Sequence, residues 1–229
     1  LTVVDGRITG VVTDQGRIEA ETVVAACGMY TPQVAALAGV NVPIVPTAHQ
    51  YLITKDVAGV TDDLPQLRDP DNLVYFRRDG SGLVVGGYER DPAPWSVDGV
   101  PDDFNNRLLA EDWERFAPLM GSACSRVPAV EGAALVQLLP GPEGFTPDNE
   151  FVLGESEVAG FFVAAGFCAH GIAGAGGVGR VMAEWILEGE SSFDTWKMDI
   201  RRFGPAYRSR GHALARTVEV LSPIHISEP

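Results

Sequence analysis

Cysteine is scarce in this sequence: three in 229 residues, at Cys27, Cys124 and Cys168. Their wide spacing leaves no C-x-x-C pair and no Cys/His cluster with zinc spacing. Neither a disulfide framework nor a metal site is expected. A sparse, odd set of thiols fits a reducing, cytoplasmic setting. Basic residues are also in short supply. Seventeen Lys and Arg stand against 31 Asp and Glu, a formal net charge of −14. That balance argues against a nucleic-acid partner, which needs a basic stripe, and against docking on an anionic membrane surface. No apolar run approaches the roughly 20 residues of a membrane span.

What is present is ordinary for a globular chain. The sequence is 45% hydrophobic and 21% charged, long enough for one large domain or two small ones. Its ends stand out. It opens on "LTVVDGRITG", already a strand pattern, without an initiating Met. It closes on "SPIHISEP", residues 222–229, which is unrelated to the charged helical pattern before it and resembles translated sequencing adapter. An internal fragment with a non-native tail is therefore expected.

Alternation of apolar and polar residues from Thr2, broken at Asp5-Gly6 and Asp14-Gln15-Gly16, predicts a β-meander. Residues 22–26 are nearly all apolar and predict a strand buried on both faces. A short helix at 31–38 ends at Gly39. "NLVYFRRDGSGLVVGGYER" predicts a hairpin about Asp79-Gly80-Ser81-Gly82. Residues 103–120 align Leu108, Leu109, Trp113, Phe116 and Met120 on one helical face. A strand at 160–165 and a helix from about Gly177 to Leu187 follow, then an Arg-rich helix at 205–221.

Gly174, Gly176 and Gly179 match G-x-G-x-x-G. A dinucleotide turn needs a strand running straight into the first glycine, and a second strand ending in an acid about 20 residues on. Here the strand ends near Ala165, and no such second strand follows. Two other uses fit the glycines. They let strand and helix pack closely, or they open a helix N-terminus to a partial negative charge such as that of a reduced flavin ring.

Four segments together resemble the dimethylglycine and sarcosine dehydrogenase–oxidase family, within the D-amino-acid-oxidase-like FAD-dependent oxidoreductases. They are "GFFVAAGFCAHGIAGAGGVGR", "VVAACGMYTPQVAALAGVNVPIVPTAHQY", "LVYFRRDGSGLVVGGYE" and "FTPDNEFVLGE", in the family's order over almost all of residues 1–221. The resemblance implies an α/β (α+β) fold: an incomplete FAD-binding Rossmann-like domain interleaved with an antiparallel-sheet substrate domain. Residues 1–45 and 141–200 would belong to the FAD-binding domain and 46–140 to the substrate domain, with 201–221 starting a further domain. It also implies a pyrophosphate turn and a flavin-linking His upstream, and a folate-binding domain downstream.

Residue roles are implied in the same way. His49 of A-H-Q-Y would position and deprotonate the amine, which suits an imidazole near neutral pH. Taken by itself, His49 reads more readily as a structural strand histidine. Tyr75 would face substrate and flavin, although alone it is a common strand aromatic. Cys27, Gly28, Gly166, Phe167, Cys168, Ala169, His170, Gly171 and Ile172 would meet the flavin, largely through backbone. Arg77 shares Tyr75's face by alternation and could hold a substrate carboxylate; a solvated strand charge is the commoner reading of such a residue. The implied activity is oxidative demethylation of dimethylglycine or sarcosine by hydride transfer to flavin. A relative acting on glycine or a cyclic imino acid, or a flavin-fold domain that binds without turnover, are the rival expectations.

Overall fold

The structure is a computed structural model describing residues 1–221; the expected non-native tail at 222–229 lies outside them. In chain order the elements are β1 (Thr2–Val4), β2 (Arg7–Thr13), β3 (Gly16–Glu19), β4 (Val23–Ala25), α1 (Thr31–Ala36) and β5 (Val45–Thr54). Next come β6 (Leu67–Asp69), β7 (Val74–Asp79), β8 (Gly82–Gly87), β9 (Ala93–Pro94), α2 (Trp113–Arg126) and β10 (Leu135–Phe145). The chain ends with β11 (Val152–Glu155), β12 (Phe161–Ala165), α3 (Gly171–Glu188) and α4 (Arg210–Leu221).

Two compact units share these elements. The first gathers Leu1–Pro46, Pro94–Asp102 and Glu143–Val220; the second is built from Thr47–Ala93 and Asp103–Pro142. Residues 94–102 and 201–220 thus pack with the first unit.

In the first unit β1, β2 and β3 form the expected meander, antiparallel throughout. A second sheet runs β11-β12-β4, with β12 antiparallel to β11 and parallel to β4. All five residues of β12 are buried, and Phe161, Val163 and Ala165 pack with Ile8, Ala25, Val40 and Val152. Strand β4 departs from its expected burial. It forms an edge of this sheet, and Val24 is 41% exposed.

Helix α3 begins six residues before the expected start, at Gly171 rather than Gly177. Glycines disfavour helix by about 1 kcal/mol each, so the run at 174–179 argued for a turn. Tertiary packing overrides that preference. Val181, Met182 and Trp185 pack on Leu153, Phe162 and Ala164. Gly154, in the left-handed region, lets the Trp185 indole lie on its Cα, where a Cβ would stand 2.4 Å from Cη2.

In the second unit the sheet order is β10-β5-β8-β7-β6, with β9 on β5. The hairpin is as expected: Asp79 pairs with Gly82 across Gly80-Ser81. One sheet face, with Leu52, Phe76, Leu83 and Val85, packs on Phe116, Leu119 and Ala123 of α2. That helix is shorter than the sequence pattern suggested. Asp112 caps it by accepting from the Arg115 N–H at 3.0 Å, and residues 103–112 are not helical. Gln50 fixes the cap. Its amide exchanges two hydrogen bonds with the Asp112 backbone, at 2.9 and 3.1 Å. Leu108 and Trp113, expected on the buried face, are exposed.

Candidate active site

The first unit brings two chain segments to one sheet edge. Strands β4 and β12 are parallel, with Val23 opposite Phe161 and Ala25 opposite Val163. Cys27-Gly28 and Gly166–His170 therefore leave the sheet at the same carboxyl end, the edge at which open α/β sheets bind ligands. Cys27 and Gly28 are exposed, and Gly28 is left-handed at φ +55°.

The segment from Gly166 to His170 is unusual in its backbone. Gly166, Cys168 and Ala169 all have positive φ, at +64°, +47° and +68°. For residues with a Cβ that conformation costs on the order of 1 kcal/mol each and marks functional loops. Buried anchors hold it. The Cys168 thiol, 3% exposed, donates to the Gly166 carbonyl at 3.2 Å and lies 3.4 Å from the buried Thr146 hydroxyl. Burial pushes that thiol up to about 11, so it stays neutral and acts as packing. The His170 ring donates from Nδ1 to the Cys168 carbonyl at 2.6 Å. That bond ties the ring to its own loop. Thr146 was not singled out from the sequence; the T-P-D turn was the only signal.

Beyond the loop, Gly171 opens α3 with His170 as its N-cap residue, and the first-turn N–H groups point out of the helix end. The matched glycines are helical, not a turn, and none of Gly174, Gly176 and Gly179 has positive φ. A Cβ on Gly176, Gly177 or Gly179 would meet open space. Ile172 is fully exposed. The helix entrance thus presents glycine backbone with the exposed side chains of Ile172, Ala173 and Ala175 on it, a surface suited to a flat ring.

Gly166 is the steric keystone of the loop. A Cβ there would stand 2.6 Å from Thr146 Cγ2 and 3.3 Å from Ile44 Cγ1 and Val152 Cγ2. Gly166→Ala is expected to lose about 2–4 kcal/mol of stability through left-handed strain and overpacking. Thermal unfolding checks it, and an unchanged melting temperature refutes it.

In the second unit the sheet face away from α2 carries the polar groups. Register lines up Tyr51, Gly86, Tyr75 and Arg68 across four strands. The Tyr75 ring lies over Gly86, where an added Cβ would be 2.1 Å from Cζ and 2.2 Å from the phenol oxygen. Tyr88 stands 6.4 Å from Tyr75 and 5.3 Å from His49, ring centre to ring centre. The Arg68 guanidinium is 5.7 Å from the Tyr88 ring centre. Glu89 Oε2 is 3.6 Å from His49 Nδ1. The structure therefore gathers His49 and Tyr75 around Tyr88. Arg77 is exposed on the Tyr75 face, two residues along β7. Arg68, Tyr88 and Glu89 were missed because pairing across strands is not written in one strand's pattern.

Among the described residues no cluster of three or more His, Cys, Asp or Glu could hold a metal. No described helix is long and apolar enough to cross a membrane.

A mixed sheet with a strained strand-to-helix loop, interleaved with an antiparallel sheet, is the build of a flavin oxidoreductase. The chain belongs to the DAO family of FAD dependent oxidoreductases, which matches residues 1–185. It is 38% identical over 219 residues to 4-methylaminobutanoate oxidase (formaldehyde-forming) of Paenarthrobacter nicotinovorans, covering 95% of this chain and 26% of that protein. It is 39% identical over 198 residues to mitochondrial sarcosine dehydrogenase of Homo sapiens, covering 86% and 21%. It is also 34% identical over 224 residues to the mitochondrial pyruvate dehydrogenase phosphatase regulatory subunit of Mus musculus, covering 96% and 25%. The chain thus spans about a quarter of the length of these relatives. In fold it is similar to L-proline dehydrogenase from P. horikoshii, with a TM-score of 0.73 and 24% identity over 88% of this chain and 52% of that one. FAD is the family's cofactor, and the open helix entrance and left-handed loop of the first unit fit a flavin ring.

Proposed function

We propose that the protein carrying this chain oxidises a small N-methyl amino acid, such as dimethylglycine or sarcosine, with FAD. The first unit serves as part of the FAD-binding domain, through Cys27, Gly28 and Gly166–Ile172. The second serves as the substrate-binding domain. The observation that carries this is the face of the second unit, where a histidine, a phenol and a guanidinium surround Tyr88.

Each group has a task in amine oxidation. A substrate amine arrives protonated, and His49 takes that proton, because only the free lone pair can assist loss of hydride from the adjacent carbon. The Tyr75 phenol orients the nitrogen. Arg68, with Arg77 beyond it, holds the carboxylate. When bound, FAD supplies the acceptor for the hydride leaving the N-methyl carbon. The iminium left behind hydrolyses to formaldehyde and the demethylated amine, or passes its carbon to folate on a further domain. The chain's three thiols are free, in keeping with a reducing compartment such as the cytoplasm.

A panel of amines with flavin bleaching as readout tests the proposal. Dimethylglycine, sarcosine, 4-methylaminobutanoate, glycine and proline are mixed anaerobically with the FAD-loaded protein. Bleaching by the N-methyl amino acids is expected; bleaching by glycine or proline alone assigns another substrate class. The likeness to a phosphatase regulatory subunit favours a second reading, a flavin-fold domain without turnover. It gains if FAD binds and no amine bleaches it. Arg68→Leu is expected to raise KM for carboxylate-bearing amines by about 10-fold or more, the worth of a charge-assisted hydrogen bond. An unchanged KM removes Arg68 from substrate binding.

A further inference from the structure

Glu89 has no task in the chemistry above, yet its side chain is only 7% exposed. Oε2 faces His49 Nδ1 at 3.6 Å, and Oε1 is buried without a hydrogen-bond partner among the described residues. A carboxylate stripped of water and short of donors is costly to keep. A glutamine would fill the same space without the charge. His49, 15% exposed and set at a tilt against Tyr88, is the one basic side chain paired with this carboxylate among the described residues.

We propose that Glu89 is a positioning residue for His49. Its carboxylate accepts the Nδ1–H, fixes that tautomer and leaves Nε2 as the acceptor for the proton of the substrate amine. The proposal rests on the amine oxidation argued above. At 3.6 Å the two groups are within ion-pair range and beyond hydrogen-bond reach. A small side-chain rotation closes them to the roughly 2.8 Å of a charge-assisted bond, and catalytic hydrogen bonds are often long before substrate binds. Once the imidazole takes the amine proton, the new cation lies beside a fixed anion that needs no reorganisation.

A structural use of Glu89 makes a different prediction. The residue also lines a cavity of about 380 Å³ with Asp91 and Arg115, whose Nε has no hydrogen-bond partner among the described residues and lies 3.6 Å from Asp112 Oδ2. If Glu89 serves only that polar cavity, its loss is indifferent to what stands at position 49.

The test uses the FAD-loaded protein with single-turnover flavin reduction. Glu89→Gln should lower the limiting rate by on the order of 10- to 100-fold with little change in KM. Glu89→Asp should recover most of it, and formate should rescue Glu89→Ala. In a His49→Ala background Glu89→Gln should cost less than about twofold, because the pair acts as a unit. Equal losses in both backgrounds overturn the proposal. A second readout needs no substrate. In protein carrying 15N-labelled histidine, the His49 ring signals, assigned by their loss in His49→Asn, should report Nδ1–H. In Glu89→Gln, or in Glu89→Ala should the former not fold, they should move toward a tautomer mixture. Ring signals that do not move refute the role of Glu89. If no N-methyl amine reduces the wild-type flavin, the proposed oxidation falls, and the ring spectrum still decides Glu89.

Discussion

His49→Ala should slow flavin reduction by an N-methyl amino acid about 10²- to 10³-fold at neutral pH, the span of a lost general base. The side chain sits in β5, 15% exposed, between Tyr88 and Glu89. Alanine keeps the strand and removes only the imidazole. Stability should change little, since the opposite face of β5, with Gln50, Leu52 and Thr54, carries the burial. The loss should depend on pH in one direction. As pH rises, more of the amine arrives already deprotonated, and the need for a base fades. The gap between wild type and variant should therefore narrow toward alkaline pH. Stopped-flow reduction across pH measures both effects. A variant as fast as wild type at neutral pH takes His49 out of the chemistry; a constant gap at all pH values assigns it to binding or packing instead.

Legibility in the sequence followed the range of the interactions. The hairpin at 74–87, the meander and β12 are set by neighbours in the chain, through alternation and tight turns, and their patterns were plain. Helix α3 was only half legible. Its glycines oppose helix locally, and the packing of Trp185 on Gly154 that outweighs them joins residues far apart in sequence. The start of α2 was hidden for a related reason. Residues 103–112 have helical spacing, but the Asp112 cap, locked by Gln50, sets the first turn.

The site divides in the same way. His49 and Tyr75 stood out through quoted family segments, not through periodicity. Arg68 could not stand out, because its nearness to Tyr75 is a matter of β6–β7 register. Nor could Glu89, since its contact with His49 joins the end of the hairpin to β5. The G-x-G-x-x-G match, set aside in the sequence for want of the flanking strands, lies within helix α3. The residues with left-handed backbone are Gly166, Cys168 and Ala169, just ahead of it, and two of the three are not glycine.

Gly86→Ala should separate stability from function. The three atoms nearest to a Cβ at Gly86 all belong to the Tyr75 side chain, at 2.1, 2.2 and 2.7 Å. Backbone is not among these nearest atoms, and Gly86 is not in the left-handed region. Alanine therefore suits the strand but not the ring, which must swing off the sheet. An off-rotamer aromatic costs about 1 kcal/mol, so melting should fall by only a few degrees. The catalytic cost should be far larger. Displacing an orienting group by about 1 Å can lose on the order of 10²-fold in rate, whereas Tyr75→Phe, which keeps the ring in position, should lose only about 10-fold. The glycine substitution should thus be worse than removing the hydroxyl outright. Pairing Gly86→Ala with Tyr75→Ala should restore melting without restoring rate, because the clash is gone while the orienting group is gone too. A Gly86→Ala variant that reduces its flavin at the wild-type rate means that the position of Tyr75 is immaterial, and with it the assignment of this sheet face to the substrate fails.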